Sequence, residues 1–484
     1  MKKIFNLSVL MAMLAMVLTA CAPTEVDDLF DDTAANRLDK AVQNYRDYFT
    51  SNGGKWEMLY FANADEMGYY FVVTLRKDGS VTISGHNKFI VGGGSSPYRN
   101  VESNEYKSET SIWDLTADDG PSLSFCSLNG AFHFFCDPGK IPPGSSRANG
   151  AGHEGDFEFN IISTTDDQAI LRGKKHGMEV VMNRLPADTD DATRVAQFVS
   201  NTSTHFSADI KTLYLTASTG ERFVLSDYEA SLPGNSEMVP DLTKFWWLIV
   251  PENGDPVTDR EHMALMVTAT GLHFLNPLEF LPEYSVGANV VQDFTFQPDG
   301  TLLGDDGVTT ISAGPATTNF MDPSRNWKLD MNSMSDGLKT ALDNLVAGMK
   351  ELRINNRRVT SVSFTDISIN RVVASAETEA STYLSLTFSL KVATSNASYN
   401  PMIKLEMVRV DDKKIKLVYN PDAPDTFDSD GIADKFLRPV PAFDEFMRQF
   451  TDGEIEVIPA SMMNPTSFTL SLPTGETVTA NLKK

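Results

Sequence analysis

Apolar and polar positions first repeat at helical spacing. Leu38, Val42, Tyr45 and Phe49 predict a helix that Asp32 or Thr33 caps and Ser51-Asn52-Gly53-Gly54 ends. From Trp56 to Leu185 the period changes to that of strands. Trp56–Tyr60 begins the series. Tyr69–Leu75 and Ser80–Ser84 flank Asp78-Gly79, a hairpin turn pair. Leu123–Cys126 and Phe132–Phe135 flank Asn129-Gly130 in the same way. Asp156–Ile161 alternates, Ala169–Gly173 follows, and Met178–Leu185 completes the set. Glycine-rich loops lie at 92–96 and 139–155. Short strands joined by Gly and Asp turns predict an antiparallel sheet curled into a barrel or sandwich.

Gly54-Lys55-Trp56 ahead of antiparallel strands resembles the start of a lipocalin-type barrel. Pro186–Asp191 is a polar break, and a helix is expected from Ala192 to about Ser203. A second β-rich region starts at Lys211–Leu215 and includes 263–268, 272–275 and 293–296. A helix is expected near 335–352, from Leu338, Ala341, Leu342, Leu345 and Met349. Strands follow near 359–370, 382–393, 402–409 and 414–419. Phe443, Phe446, Met447 and Phe450 mark a short helix, and a last hairpin turns at Pro473-Thr474-Gly475. Arg76-Lys77-Asp78-Gly79 and Gln297-Pro298-Asp299-Gly300 read as an internal echo. The chain is therefore expected to be mainly β with a few helices, in two related β-rich domains. The divisions are 1–20, 21–32 (an acidic tether), 33–186 (helix and lipocalin-like antiparallel barrel), 187–209 (connection) and 210–484 (second β-rich domain with helices).

The first twenty residues follow a different logic. Lys2 and Lys3 precede an apolar run from Leu7 to Leu18, too short for a span of ~20 residues. The ending Leu18-Thr19-Ala20-Cys21 resembles a bacterial lipobox. That resemblance implies cleavage before Cys21 and a lipid on its thiol, holding the protein to a membrane surface. Cleavage removes two lysines and no acid, so the mature chain is more acidic than the formal charge of −24. Such an acid excess argues against nucleic acid and against anionic lipid as partners, because both need a basic face. It also keeps an exported protein in solution. Acids at 25–32 resemble a surface-export signal, which places the protein on the outer membrane, at the cell surface or on the periplasmic face.

Candidate chemistry is sparse. Export permits a Cys126–Cys136 disulfide. A two-residue loop at Asn129-Gly130 would instead set Cys126 opposite His133 and Cys136 opposite Leu123, leaving two separate thiols. Gly150-Ala151-Gly152-His153-Glu154-Gly155 matches the dinucleotide fingerprint in letters but lacks the strand before and the helix after it. His153-Glu154 lacks the second histidine of a zinc-protease helix, and the other histidines are scattered. Asp428-Ser429-Asp430-Gly431 is half a calcium loop. Thr426 and Leu437 stand where two acidic ligands belong, which leaves Asp428 and Asp430 a weak cation pair. Phe245-Trp246-Trp247 and Tyr69-Tyr70-Phe71 read as core rather than stacking platforms. No nucleophile elbow or P-loop occurs, and no catalytic residue, cofactor or metal is expected.

Several short pieces recur in a recognisable order. They are Phe30–Arg37, Gly54-Lys55-Trp56, Lys77–Val81, Leu123-Ser124-Phe125, Asn129, His133-Phe134, Asp137-Pro138, Gly152–Phe159 and Gly173-Lys174-Lys175. The chain resembles, over most of residues 25–450 and best before 190, an uncharacterised lipoprotein family of Bacteroides-type bacteria, a domain of unknown function. The resemblance implies genes beside TonB-dependent outer-membrane uptake pairs. It thus implies a non-catalytic accessory role in nutrient binding, with an uptake complex and an extracellular glycan or peptide as partners. The alternatives are a surface hydrolase with an unrecognised carboxylate pair and a structural or adhesive surface protein.

Overall fold

Strands with one inward apolar face close on themselves three times along this chain. The computed structural model describes residues 33–86, 88–91, 105–117, 120–140, 150–206, 212–227, 245–254, 261–280, 289–376, 379–393, 395–420 and 431–483. The first ring runs from β1 (Lys55–Tyr60) through β2 (Tyr69–Leu75) to β8 (Glu179–Arg184), each strand antiparallel to the next, and β1–β8 pairing closes it. Trp56, Met58, Tyr60, Phe71, Phe125, Phe132 and Phe159 fill its interior. It is a packed barrel, as the lipocalin-like expectation requires of the strands, with aromatic side chains where a lipocalin holds ligand.

β2 is buried along its whole length. That explains its unbroken run of large residues: one face lines the barrel and the other is covered. The cover is the helix Asp191–His205, capped by the Asp190 carboxylate, which accepts from Thr193 N–H at 2.9 Å. Val195 and Phe198 of this helix join Leu59, Tyr70 and Val72 of the first barrel and Ala264 and Met266 of the next in one cluster. Each aliphatic side chain so buried contributes ~2 kcal/mol. The helix Asp191–His205 is thus the glue between two barrels. Asn201 Nδ2 donates to the Thr268 and Ala269 carbonyls, fixing the helix end to the second ring.

The region beyond 210, expected as one domain, holds two barrels. The second runs from β9 (Thr212–Thr216) and β10 (Arg222–Asp227) to β14 (Asn289–Phe296), β15 (Leu302–Gly304) and β16 (Thr310–Ser312), and closes by β9–β16 pairing. The third uses β17 (Trp327–Asp330), β19 (Arg357–Val372), β20 (Ser381–Val392) and β22 (Met402–Arg409). It continues through β23 (Lys414–Val418), β24 (Glu454–Pro459), β25 (Ser467–Ser471) and β26 (Thr477–Leu482). Pairings β19–β20 and β17–β26 complete a ring of these eight strands, with β18 (Arg353–Ile354) and β21 (Ser395–Tyr399) appended at its edges. The expected helices are present as Asp336–Lys350 and Pro441–Thr451, and both bury their apolar faces in this barrel's core.

Two local expectations are corrected. Asn129-Gly130 is not a hairpin turn. Neither residue takes the positive φ that such a turn needs, and the chain enters a 3-10 turn at His133–Cys136. The buried Asn129 amide instead donates to Glu109 O and Ser111 Oγ, while its oxygen accepts from Ala131 N. The Asp-Gly echo is also not a repeat. Gly79 and Gly300 share a left-handed turn, but one lies between the second and third strands of its ring and the other between the sixth and seventh.

The true repeat is a different spacing. Trp56 Nε1 donates to Phe49 O at 2.9 Å, and Trp327 Nε1 donates to Phe320 O at 2.9 Å. In both places a Phe in the last turn of a helix is followed, seven residues on, by a buried Trp at the start of a strand that closes a barrel.

Candidate functional site

The second and third barrels meet through the loop between β24 and β25. Met463 inserts fully buried into the second barrel's core, and Met462 N donates to Asp299 O at 2.8 Å. His205 Nδ1 lies 2.7 Å from Ser461 Oγ, so the interbarrel helix reaches the same junction. Gly300, with φ +82°, abuts Ser461 so closely that a Cβ would lie 2.6 Å from its Oγ. Beside this junction opens a cleft of about 790 Å³.

One wall is the outer face of the second barrel. Tyr214 and Thr216 of β9 alternate outward with Arg222 of β10 opposite Thr216. The Arg222 guanidinium lies 4.8 Å from the Tyr214 ring centre and 3.0 Å from a Glu252 oxygen. Gly314 closes on the ring, where a Cβ would meet it at 3.4 Å. The opposite wall is apolar, built from Pro315, Val457, Ile458, Pro459 and Met462, and Ile458 is 45% exposed. Asp299, Asp412, Lys413 and Glu456 stand around it. Asp412 pairs with Arg409, Glu456 stands opposite Lys414 in the β23–β24 ladder, and the Asp299 carboxylate accepts from Thr301 N.

A second polar group lies buried in the mouth of the first barrel. His153, from the glycine-rich loop, and Glu66, from the β1–β2 loop, are both fully buried. His153 Nδ1 lies 2.9 Å from Glu66 Oε2, which also accepts from Tyr69 OH at 2.6 Å. Asn63 Nδ2 donates to Glu66 and to the His153 carbonyl. The literal dinucleotide fingerprint is therefore a loop that delivers His153 to a carboxylate, with no helix following it. Its left-handed positions are Gly150, Gly152 and Glu154.

Cys126 and Cys136 are both free thiols, so the disulfide alternative is not realised. The sequence reading kept them apart by a hairpin; here a 3-10 turn separates them. Burial pushes the Cys136 thiol up to about 12, and its sulfur lies 3.9 Å from Tyr60 OH. A group so raised is protonated at neutral pH and is a poor nucleophile. At pH 8 its thiolate fraction is on the order of 10⁻⁴. Iodoacetamide should therefore alkylate Cys136 at least a hundredfold more slowly in the folded protein than in urea, read by peptide mass. Equal rates would refute the burial argument.

Cys21 and the Asp428–Asp430 pair lie outside the described residues. Among the described residues, no three His, Cys, Asp or Glu side chains converge as metal ligands. Of the aromatic runs, Tyr69, Tyr70, Phe71, Phe245 and Trp247 are core, as expected. The cleft itself escaped sequence reading because it joins positions from Tyr214 to Met462. Glu66 escaped because the β1–β2 loop has no motif.

A family model described as a domain of unknown function (DUF4302) matches residues 26–297, which span the first barrel and most of the second. No curated protein and no solved structure matches the chain.

Proposed function

For this chain, which belongs to the DUF4302 family, we propose a lipid-anchored, non-catalytic receptor that holds an extracellular peptide in the cleft between its second and third barrels. It serves nutrient uptake at the outer membrane, beside a TonB-dependent uptake complex. The anchor is Cys21, read from the basic start, apolar run and lipobox-like ending.

The observation that carries the reading is the cleft's chemistry. Ligand sites favour domain junctions and combine apolar walls with a few placed polar groups. Here Pro459, Ile458 and Met462 suit an aliphatic side chain, and the Asp299 and Glu456 carboxylates beside them suit a neighbouring Lys or Arg. A glycan is favoured less. Tyr214 would be its stacking surface, but Arg222 and Gly314 already occupy that ring.

Cys21→Ser should abolish fatty-acid labelling, and residues 22–484 made without lipid serve for binding. Peptides joining a Leu or Ile to a Lys or Arg should bind, and Asp299→Asn with Glu456→Gln should weaken them roughly tenfold. Preference for neutral glycans, or no binding by either class, would overturn the peptide assignment. Peptide hydrolysis lost in Glu456→Gln would replace it with a hydrolase.

A further inference from the structure

The chain averages roughly one acid in seven residues, 65 in 484. One surface departs from this. In the edge strands β18 and β21 and the adjoining parts of β19 and β20, residues 353–365, 382–392 and 395–399 contain no Asp or Glu. Their exposed face is Thr360, Ser361, Ser363, Thr365, Asn396 and Ser398.

The far end of this neutral face is basic. β18 and β19 are joined by Asn355-Asn356, with φ +51° and +65°, a two-residue turn of the type that matches strand twist. The register sets Arg353 directly opposite Arg358, and Arg357 lies beside them opposite Ile354. All three arginines are exposed. Lys391 stands opposite Ser361 on β20, and Lys350 ends the helix beneath. Glu351 pairs with Arg358. Like charges placed opposite each other in a ladder repel. The hairpin is nonetheless held firmly, because Leu352, Ile354, Val359 and Val362 on its underside pack into the third barrel's core.

We propose that this arginine-tipped hairpin is a membrane-docking surface for anionic lipid headgroups. Three features favour a headgroup plane over an acidic polymer. The tip is a two-residue turn that projects rather than a groove that wraps. The face behind it carries no acid in these strand segments, so it can lie near an anionic surface without repulsion. The nearest acid along β19 is Asp366, nine residues past Arg357, which is ~30 Å of strand and beyond a Debye length of ~8 Å. The proposed lipid at Cys21 supplies such a surface, but the hairpin's affinity is measurable without it.

Residues 22–484 without lipid should co-sediment with phosphatidylglycerol vesicles and not with phosphatidylcholine vesicles. Binding should fall as salt rises. Each arginine neutralised should weaken binding roughly fivefold, so Arg353→Gln, Arg357→Gln and Arg358→Gln together should cost about a hundredfold. An unchanged thermal transition in that variant shows that the fold is kept; Arg353→Gln alone is the milder control. Equal binding by variant and parent, or no anionic preference, would overturn the proposal. So would tighter, arginine-dependent binding of polygalacturonate than of vesicles, which would identify an acidic polymer instead. Loss of the cleft reading would leave this result untouched, since no residue is shared.

Discussion

Trp327→Ala should lower the stability of the third barrel by about 4 kcal/mol, the usual range for losing a fully buried Trp. The residue is wholly inaccessible, with its ring 5.1 Å from Phe320 and 5.1 Å from Phe468. It also opens β17, which pairs with both β19 and β26 and so closes the ring. Removing it leaves a cavity at the closure and strips Phe320 O of its donor. The melting transition of this barrel should fall by on the order of 10 °C. Trp56→Ala should do the same to the first barrel, where Arg184 of β8 covers the Trp56 ring at 4.0 Å. The sites sit in different rings and share no partner, so their effects should add. Trp327→Phe keeps most of the apolar volume and loses the N–H, so it should cost less than half as much. Calorimetry on the two alanine variants tests this. Identical thermograms for the two, with every transition lowered alike, would show that the barrels are not separate cooperative units.

That spacing of Phe and Trp also shows where the sequence was readable. The first barrel was legible because its strands are short, alternating and divided by Asp-Gly turns with ordinary geometry, as at Asp78-Gly79. The polar stretch at 186–191 lies between the last strand of the first barrel and the helix Asp191–His205. No such break separates the second and third barrels: Ser312 ends one ring and a helix begins at Ala316. The third ring is further disguised, since its first strand is four residues long and a helix intervenes before its second. Two Trp residues, each seven past a Phe, were the available signal for it. Asn129-Gly130 misled because the turn preference of that pair is local, while Glu109 and Ser111 offered the Asn129 amide a buried partner instead. The cleft was illegible for a simpler reason. Its walls come from two rings, and nothing in a linear pattern sets Tyr214 across from Ile458. The arginine hairpin, by contrast, could have been read from Arg353-Ile354-Asn355-Asn356-Arg357-Arg358, a turn pair flanked by like charges.

Glu66→Ala should destabilise the first barrel by about 4 kcal/mol and loosen its contact with the second. Glu66 is the shared acceptor of three groups: the Tyr69 hydroxyl, the His153 ring and the Asn63 amide. Removing it strands buried polar groups, and each one left without a partner costs about 1–3 kcal/mol. The loop that carries Glu66 also bridges the barrels. Two residues on, Gly68 N donates to Leu265 O at 3.1 Å, and a Cβ at Gly68 would lie 2.3 Å from Met266 Cε. Met67 packs into both barrel cores. A loop freed from Glu66 should therefore release this docking before either barrel unfolds. Limited proteolysis should show new cleavage within residues 61–68, at temperatures where the parent resists it. Glu66→Gln keeps one acceptor oxygen and the side-chain volume, so it should lie between the parent and the alanine variant. If Glu66→Ala melts like the parent and gains no cleavage in that loop, the buried group is not what holds the two barrels together. The contact would then rest on the Val195–Met266 cluster and the Asn201 hydrogen bonds to the second ring.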